Sequence, residues 1–327
     1  MSQDRGPQVL TVHAASEGQR LDNFLLRHLK GVPRSLIYRL VRKGAVRVNG
    51  RRAKVEMRVT GGDEVRIPVL DRPESVGDGA RVVHVPEGML RTLRQAIIHE
   101  DADYLVLDKP SGVAVHGGSG LAYGVIEAMR LLRPGPALEL GHRLDRDTSG
   151  CLVLTKSRRG LRAFHEALRA GQVEKRYLAL VAGAWAGPPR RCELPIAQDR
   201  DATGRRQMRV VQGHAEADSG DTARRATSLF TPIESYAGFT LMEVDIGTGR
   251  THQIRVHGRA LGHPVAGDHD YGDPEANRLV RRLGLKRMFL HAQAIRFPDW
   301  QRDPLLFSAP LPADLEQVLR ALSEPAR

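Results

Sequence analysis

The feature that most constrains this chain is the run Gly141-His142-Arg143-Leu144-Asp145-Arg146-Asp147-Thr148-Ser149-Gly150, followed at once by Cys151-Leu152-Val153-Leu154-Thr155. A polar stretch between two glycines enters a short apolar run of β type, so the segment reads as a loop feeding a buried strand. Two carboxylates, two guanidiniums, an imidazole and two hydroxyls are more than turn chemistry requires. If the loop is extended, Asp145 and Asp147 fall on one side. Either then serves as a working carboxylate, with Arg143 or Arg146 as its counter-ion. An Asx-turn with solvated charges is the simpler reading of the same residues, and composition does not separate the two.

The chain has 327 residues, enough for two domains with a buried core. Its 50 Lys and Arg against 38 Asp and Glu leave +12, which suggests a polyanionic partner because each neutralised phosphate releases counterions. Arginine outnumbers lysine, which favours planar phosphate contacts and stacking on bases. Two cysteines, Cys151 and Cys192, make no disulfide framework, so a reducing compartment is the default. No apolar run approaches membrane length and Met1–Gly6 has no signal-peptide core, so a cytoplasmic protein with no membrane partner is expected.

In chain order, residues 1–17 read as a flexible lead-in with a short strand near Val9–Val12. Leu21, Phe24, Leu25 and Leu29 recur at helical spacing, and a second helix carries Leu36, Ile37, Leu40 and Val41. Val46-Arg47-Val48 then alternates into Asn49-Gly50, a strong hairpin signal, and Val65-Arg66-Ile67 closes a small sheet. Arg34, Arg39, Arg42, Lys43, Arg47, Arg51, Arg52 and Lys54 load this module with positive charge, which favours RNA contact over a merely solvated face. Residues 18–70 form the module. Residues 71–92, with Pro73, Gly77, Gly79, Pro86 and Gly88, have linker composition. The second domain is expected over 93–327.

Tyr104–His116 reads as two strands around a Lys-Pro-Ser-Gly turn. Gly117-Gly118-Ser119-Gly120 lacks the ending of a P-loop and the spacing of a dinucleotide site. No Gly-x-Ser-x-Gly elbow accompanies it as an esterase requires. Lys175–Val181 is a strand, in which a tyrosine such as Tyr177 is ordinarily core filler. His252 and His257 lie five apart with no third ligand at a usual spacing, so zinc is not expected. The acidic, imidazole-rich stretch Gly267-Asp268-His269-Asp270-Tyr271-Gly272 is conceivable as a metal loop, though no metal is expected there either.

His142–Gly150 resembles the active-site signature H-R-L-D-x-x-T-S-G of the RluA-type pseudouridine synthases. Three further stretches carry the likeness: Asp108–Gly112 with Val115–Gly118, the K-x-Y-x-A pattern at Lys175–Ala179, and Gly249–His257. Gly18–Leu25 and Arg42–Gly50 resemble an S4 RNA-binding domain. The resemblance runs in matching order over residues 17–312 and looks closest to the C-type branch acting on the large ribosomal subunit. It implies an α+β fold, with a mixed, mainly antiparallel sheet and flanking helices behind a small α+β S4 domain.

The implied reaction isomerises uridine to pseudouridine in large-subunit ribosomal RNA, without cofactor or metal, in a protein that is a monomer by family default. Asp145 is implied as the catalytic carboxylate and Arg255 as its ion-pair partner. Arg143 is implied to occupy the gap left by the flipped base, and Tyr177 to stack on the uracil and take the C5 proton. Arg34, Arg42, Lys43, Arg47, Arg51, Arg52 and Lys54 are the expected RNA contacts of the S4 module. Two rivals are weaker. An inactive RNA-binding assembly factor would be signalled by a substitution at Asp145, Tyr177 or Arg255, and a nucleosidase using Asp145 and Asp147 has no use for a basic RNA-binding module.

Overall fold

A computed structural model of the chain describes residues 8–29, 32, 34–69, 84–117, 123–135, 138–200, 206–211, 223–299 and 303–324. Residues 1–7, most of the expected linker, and Gly118, Ser119, Gly120 and Arg205 lie outside the described residues, as do the side chains of Arg34 and Arg206. The chain divides into two compact units, Met1–Arg81 and Val82–Arg327.

The first unit contains β1 (Gln8–Thr11), α1 (Leu21–His28), α2 (Arg34–Arg42), β2 (Arg47–Val48), β3 (Arg51–Arg52) and β4 (Glu64–Ile67). Its antiparallel sheet runs β1-β4-β2-β3. Leu21, Phe24 and Leu25 of α1 and Ile37 and Val41 of α2 bury their apolar stripes on Val46, Val48, Val65 and Ile67 of the sheet side. Asn49 (φ 49°) and Gly50 (φ 75°) both take the left-handed region, as a two-residue type I′ turn requires. Within the lead-in expected over residues 1–17, the short strand expected near Val9–Val12 is present as β1 and belongs to the module's sheet. β1 pairs with β4 over four residues and Val12 is buried, because Leu10 and Val12 supply apolar surface that the module's core takes up.

The second unit follows with α3 (Glu87–Gln95), β5 (Ile97–Glu100), β6 (Tyr104–Lys109), α4 (Val125–Leu132), β7 (Glu139–Leu140), β8 (Ser149–Thr155), α5 (Arg158–Arg169) and β9 (Glu174–Ala182). Then come β10 (Arg190–Cys192), β11 (Ile196–Arg200), β12 (Arg206–Val210), β13 (Ser228–Tyr236), β14 (Phe239–Ile246) and α6 (Gln253–Ala260). α7 (Pro274–Arg282), β15 (Leu290–Phe297), β16 (Leu305–Ser308) and α8 (Ala313–Ser323) complete it. The main sheet runs β10-β13-β14-β9-β15-β8-β6-β5, with β16 on β15 and β7 on β8, while β11 and β12 form a separate hairpin. It is a mixed sheet of mainly antiparallel pairs in which β8 and β15 run parallel.

Strand alternation decides which helices cover which face. Leu105 and Leu107 of β6 and Leu152 and Leu154 of β8 pack with Leu93 of α3 and Val125, Ile126 and Met129 of α4. Tyr104 and Val106, with Cys151 and Val153, pack instead with Phe164 and Ala167 of α5. β8 is buried at every residue, as its unbroken apolar run implies. Two expectations change. α3 begins inside the stretch 71–92, because Val85, Met89, Leu90 and Leu93 join the core of the second unit. Residues 113–117 are not a strand: the carbonyls of Ala114 and Val115 accept from the N–H groups of Val125 and Ile126 and so cap α4. Near the end of the sheet β15 (Leu290–Phe297) is bent by a bulge between His291 and Ala294.

The crossing of β8 and β15 fixes the end of the polar loop and demands glycine there. Gly150 sits at φ 107° opposite Ala292, and a Cβ added to it would lie 2.2 Å from the Ala292 carbonyl oxygen. Gly150→Ala is therefore expected to lower unfolding free energy by more than about 3 kcal/mol, read from urea denaturation of the full chain.

Candidate active site

The polar loop between β7 and β8 is held from below by the segment that follows β6. The Lys109 ammonium is buried and donates to the carbonyls of Pro110 (2.8 Å), Val113 (2.8 Å) and Arg146 (3.0 Å), using all three of its donors. Burial lowers this ammonium to about 7. Ser111 Oγ donates to Asp147 O and the Gly112 N–H to Arg146 O, so both carbonyls beyond Asp145 are fixed. His142 is also spent on structure. Its Nε2 accepts the Val153 N–H at 3.1 Å, and burial drives its pKa down to about 3, which keeps the ring neutral. Thr148 N–H closes a turn onto Asp145 O, and Ser149 Oγ meets Arg287 Nη1 and His291 Nδ1.

This scaffold separates the two aspartates. Asp147 faces solvent with Arg146 at 3.1 Å, an exposed pair. Asp145 turns to Arg255, with Nη1 to Oδ2 at 3.5 Å. Among the described residues Arg143 pairs with neither carboxylate; it lines the cleft with Asp145. Of the pairings considered within the loop, Arg146 takes Asp147, while Asp145 pairs across the fold with Arg255.

Arg255, on α6, is the electrostatic centre. Asp268 receives Nε at 2.6 Å and Nη2 at 2.8 Å, Asp270 receives Nη2 at 2.9 Å, and the guanidinium lies over the Tyr271 ring at 4.8 Å. The side chain is 9% exposed and that of Asp268 0%, so this is a buried, bidentate pair. Burial pushes the Asp268 carboxyl up, but its bonds to Arg255 and to the N–H groups of Asp270 and Tyr271 outweigh that and hold it below the usual range. Burial likewise opposes the Arg255 cation, and Asp268, Asp145 and Asp270 together reverse the effect. Asp268 and Asp270, in the stretch conceivable as a metal loop, are therefore turned onto a guanidinium.

These groups border an open cleft of about 450 Å³. Asp145, Arg143 and Arg255 supply charge, and Tyr177, Ile246 and Leu290 supply an apolar wall. Tyr177 is buried on β9, and burial, with Asp145 nearby, raises its phenol pKa, so the ring is neutral. His252 also lines the cleft. It stands at φ 54°, where a non-glycine residue is strained, and its Nδ1 meets the Tyr271 hydroxyl at 2.8 Å. Asp145, Arg143, Tyr177 and Arg255 thus converge on one cleft. His252 lines the same cleft, and Asp268, Asp270 and Tyr271 contact Arg255; none had been expected as a site residue, and for the last three the density of acids and imidazoles after α6 was the available signal.

Arg42, Lys43, Arg47, Arg51, Arg52 and Lys54 are exposed on the first unit. Arg52 Nη2 donates to Arg42 O and Arg47 Nη1 to Gly50 O, so the hairpin and the end of α2 form one basic surface.

The RNA pseudouridylate synthase family profile matches residues 103–260, and the S4 domain profile residues 19–65. The chain is 44% identical over 322 residues to ribosomal large subunit pseudouridine synthase C of Escherichia coli (strain K12), covering 96% of each. It is 44% identical over 320 residues to the protein of the same name from Pasteurella multocida (strain Pm70), covering 97% of this chain and 94% of that one. Among solved structures, human RNA pseudouridylate synthase domain containing 4 superposes with a TM-score of 0.58 at 25% identity, over 72% of this chain and 95% of that one.

Removing the carboxylate that anchors Arg255 leaves a buried cation poorly paired. Asp268→Asn is expected to cost about 3–5 kcal/mol of unfolding free energy near neutral pH. The Asp268 carboxyl is held below its unfolded value, so its contribution is present above that value and lost as pH falls through the lower folded one. The gap between wild type and variant should accordingly close on acidification below about pH 4 in denaturation curves.

Proposed function

The chain belongs to the RNA pseudouridylate synthase family, and from that premise we propose that the cleft around Asp145 is where it converts uridine in large-subunit ribosomal RNA to pseudouridine. The observation that carries this reading is the Asp145–Arg255 pair at the edge of an apolar-walled cleft. The reaction is an isomerisation: N1–C1′ breaks, the uracil turns, C5–C1′ forms, and the C5 proton is lost while N1 regains one. Atoms and electrons balance without an oxidant or reductant.

A uridine stacked in a helix cannot reach Asp145, so it must leave the stack and enter the cleft. Asp145 then opposes the positive charge that develops on the ribose as the glycosidic bond breaks, as carboxylates do in glycoside cleavage. Arg255 aims Asp145, and because Asp268 and Asp270 already hold Arg255, the aim is set before substrate arrives. The neutral Tyr177 ring is the platform for the uracil. Arg143, at the cleft, is placed to fill the space vacated by the base and to meet the backbone. Arg42, Lys43, Arg47, Arg51, Arg52 and Lys54, with Arg34, bind the surrounding RNA mainly through phosphate.

Among the described residues no helix is long and apolar enough to cross a membrane. We place the protein in the cytoplasm, working as a monomer on ribosomal RNA or its assembly precursor.

Asp145→Asn tests the reading. Arg255 keeps Asp268 and Asp270 in the variant, so unfolding free energy should change by less than about 1 kcal/mol. Pseudouridine mapping of large-subunit RNA from cells carrying the variant should nonetheless show specific sites reverting to uridine. An unchanged map, with the variant present at wild-type level, would leave the chain an RNA-binding protein only.

A further inference from the structure

Lys175 lies on β9 two residues before Tyr177, and the strand's alternation turns both inward while Glu174 and Arg176 face solvent. It is 7% exposed. A charged group this deep ordinarily has an ion pair or a full set of hydrogen bonds. Among the described residues the Lys175 ammonium has neither, in contrast to Lys109, all three of whose donors are used. Its place is the edge of the cleft: a Cβ on Gly249, a cleft residue, would sit 3.6 Å from Lys175 Nζ. The charged or titratable groups felt around it are Arg250, also a cleft residue, and the neutral His142; no carboxylate is among them. Burial, with Arg250 adding to it, lowers the ammonium to about 8.

Two neighbouring cations with no acid between them repel one another until an anion sits by them. We propose that Lys175, with Arg250, is the seat for a phosphodiester group of the substrate RNA at the edge of the uridine cleft. The inference rests on the reading of that cleft as the uridine site. A nucleotide entering the cleft brings the phosphates attached to its ribose to the cleft edge, and each carries the charge that this pair lacks. Lys175 is then a substrate-binding residue that contributes equally to ground and transition states. Its loss should raise KM and leave kcat nearly unchanged.

The experiment compares wild type, Lys175→Met, Lys175→Arg and Arg250→Gln on an unmodified transcript of large-subunit ribosomal RNA, following pseudouridine formation over a range of salt. Lys175→Met should lower kcat/KM about tenfold at low salt through KM, with the slope of log(kcat/KM) against log salt shallower by about 0.7. Arg250→Gln should flatten the slope similarly, and Lys175→Arg should restore it. Lys175→Met should also raise Tm by about 2–4 °C, since it removes an uncompensated buried charge. The folded ammonium titrates near 8 against 10.5 unfolded, so its cost to stability is complete below the lower value and gone above the upper. The Tm gain should therefore shrink as pH rises through that window.

A salt slope unchanged in both Lys175→Met and Arg250→Gln would overturn the proposal. So would a fall in Tm or a failure of Lys175→Met to fold, since either would make Lys175 a structural partner. Failure of the cleft reading is a separate result: pseudouridine formation surviving in Asp145→Asn.

Discussion

Arg255 is the one cation on which the site's geometry converges. A guanidinium with 9% of its side chain exposed must be paired on all its edges or it destabilises the fold, and here Asp268, Asp270 and Tyr271 meet that demand before Asp145 is considered. The fourth contact, to Asp145, is longer at 3.5 Å and is the one that faces the cleft. The arrangement splits the cation's work. Two carboxylates and a ring hold it in place, and the remaining edge orients a third carboxylate, Asp145, at the cleft. A lysine could not divide itself this way, since its point charge lacks the planar fork that gives Asp268 both Nε and Nη2 while Nη2 also reaches Asp270 and Nη1 reaches Asp145.

Asp145 needs an equally stiff support from the other side. Its loop is fixed through backbone atoms: Lys109 and Ser111 hold carbonyls 146 and 147, and Gly150 admits the close crossing of β8 with β15. Each of these side chains is spent on main-chain groups, leaving the carboxylate with few local partners. Tyr271 ties the two supports to a third element. Its ring lies on Arg255, while its hydroxyl accepts the Met208 N–H of the β11–β12 hairpin and meets His252. The site is thus braced by α6, the loop after it and the hairpin, none of which contributes Asp145.

Much of this was legible in the sequence, for identifiable reasons. The polar loop ending in an apolar run announced a buried strand, and β8 is one; Asn49-Gly50 announced a type I′ turn, and both residues have positive φ. Asp145 and Arg143 stood out in a dense polar loop, whereas Tyr177 and Arg255 became candidates through the family resemblance, and the fold brings all four to one cleft. The acids that hold Arg255 were not legible in that way. Asp268 lies 13 residues beyond it in a loop without periodicity, where a run of acids and histidines reads as readily as a metal site. Val113 to Val115 misled for the opposite reason. Their apolar alternation suits a strand, but the Val113 carbonyl is taken by Lys109 and those of Ala114 and Val115 by the first N–H groups of α4, and burial alone does not distinguish these uses.

The two buried lysines show how hydrogen-bond satisfaction separates support from function where burial does not. Lys109 and Lys175 are both enclosed, both have their ammonium lowered by that enclosure, and both belong to stretches rich in motif residues. Lys109 is complete: three donors, three carbonyls, and a loop that would move without them. Among the described residues Lys175 has no such set of partners, and the charged group that acts on it is another cation, Arg250. A fold keeps such a group at a net cost unless something it binds offsets that cost, and for the proposed uridine cleft the anion that would do so is the RNA strand's own phosphate.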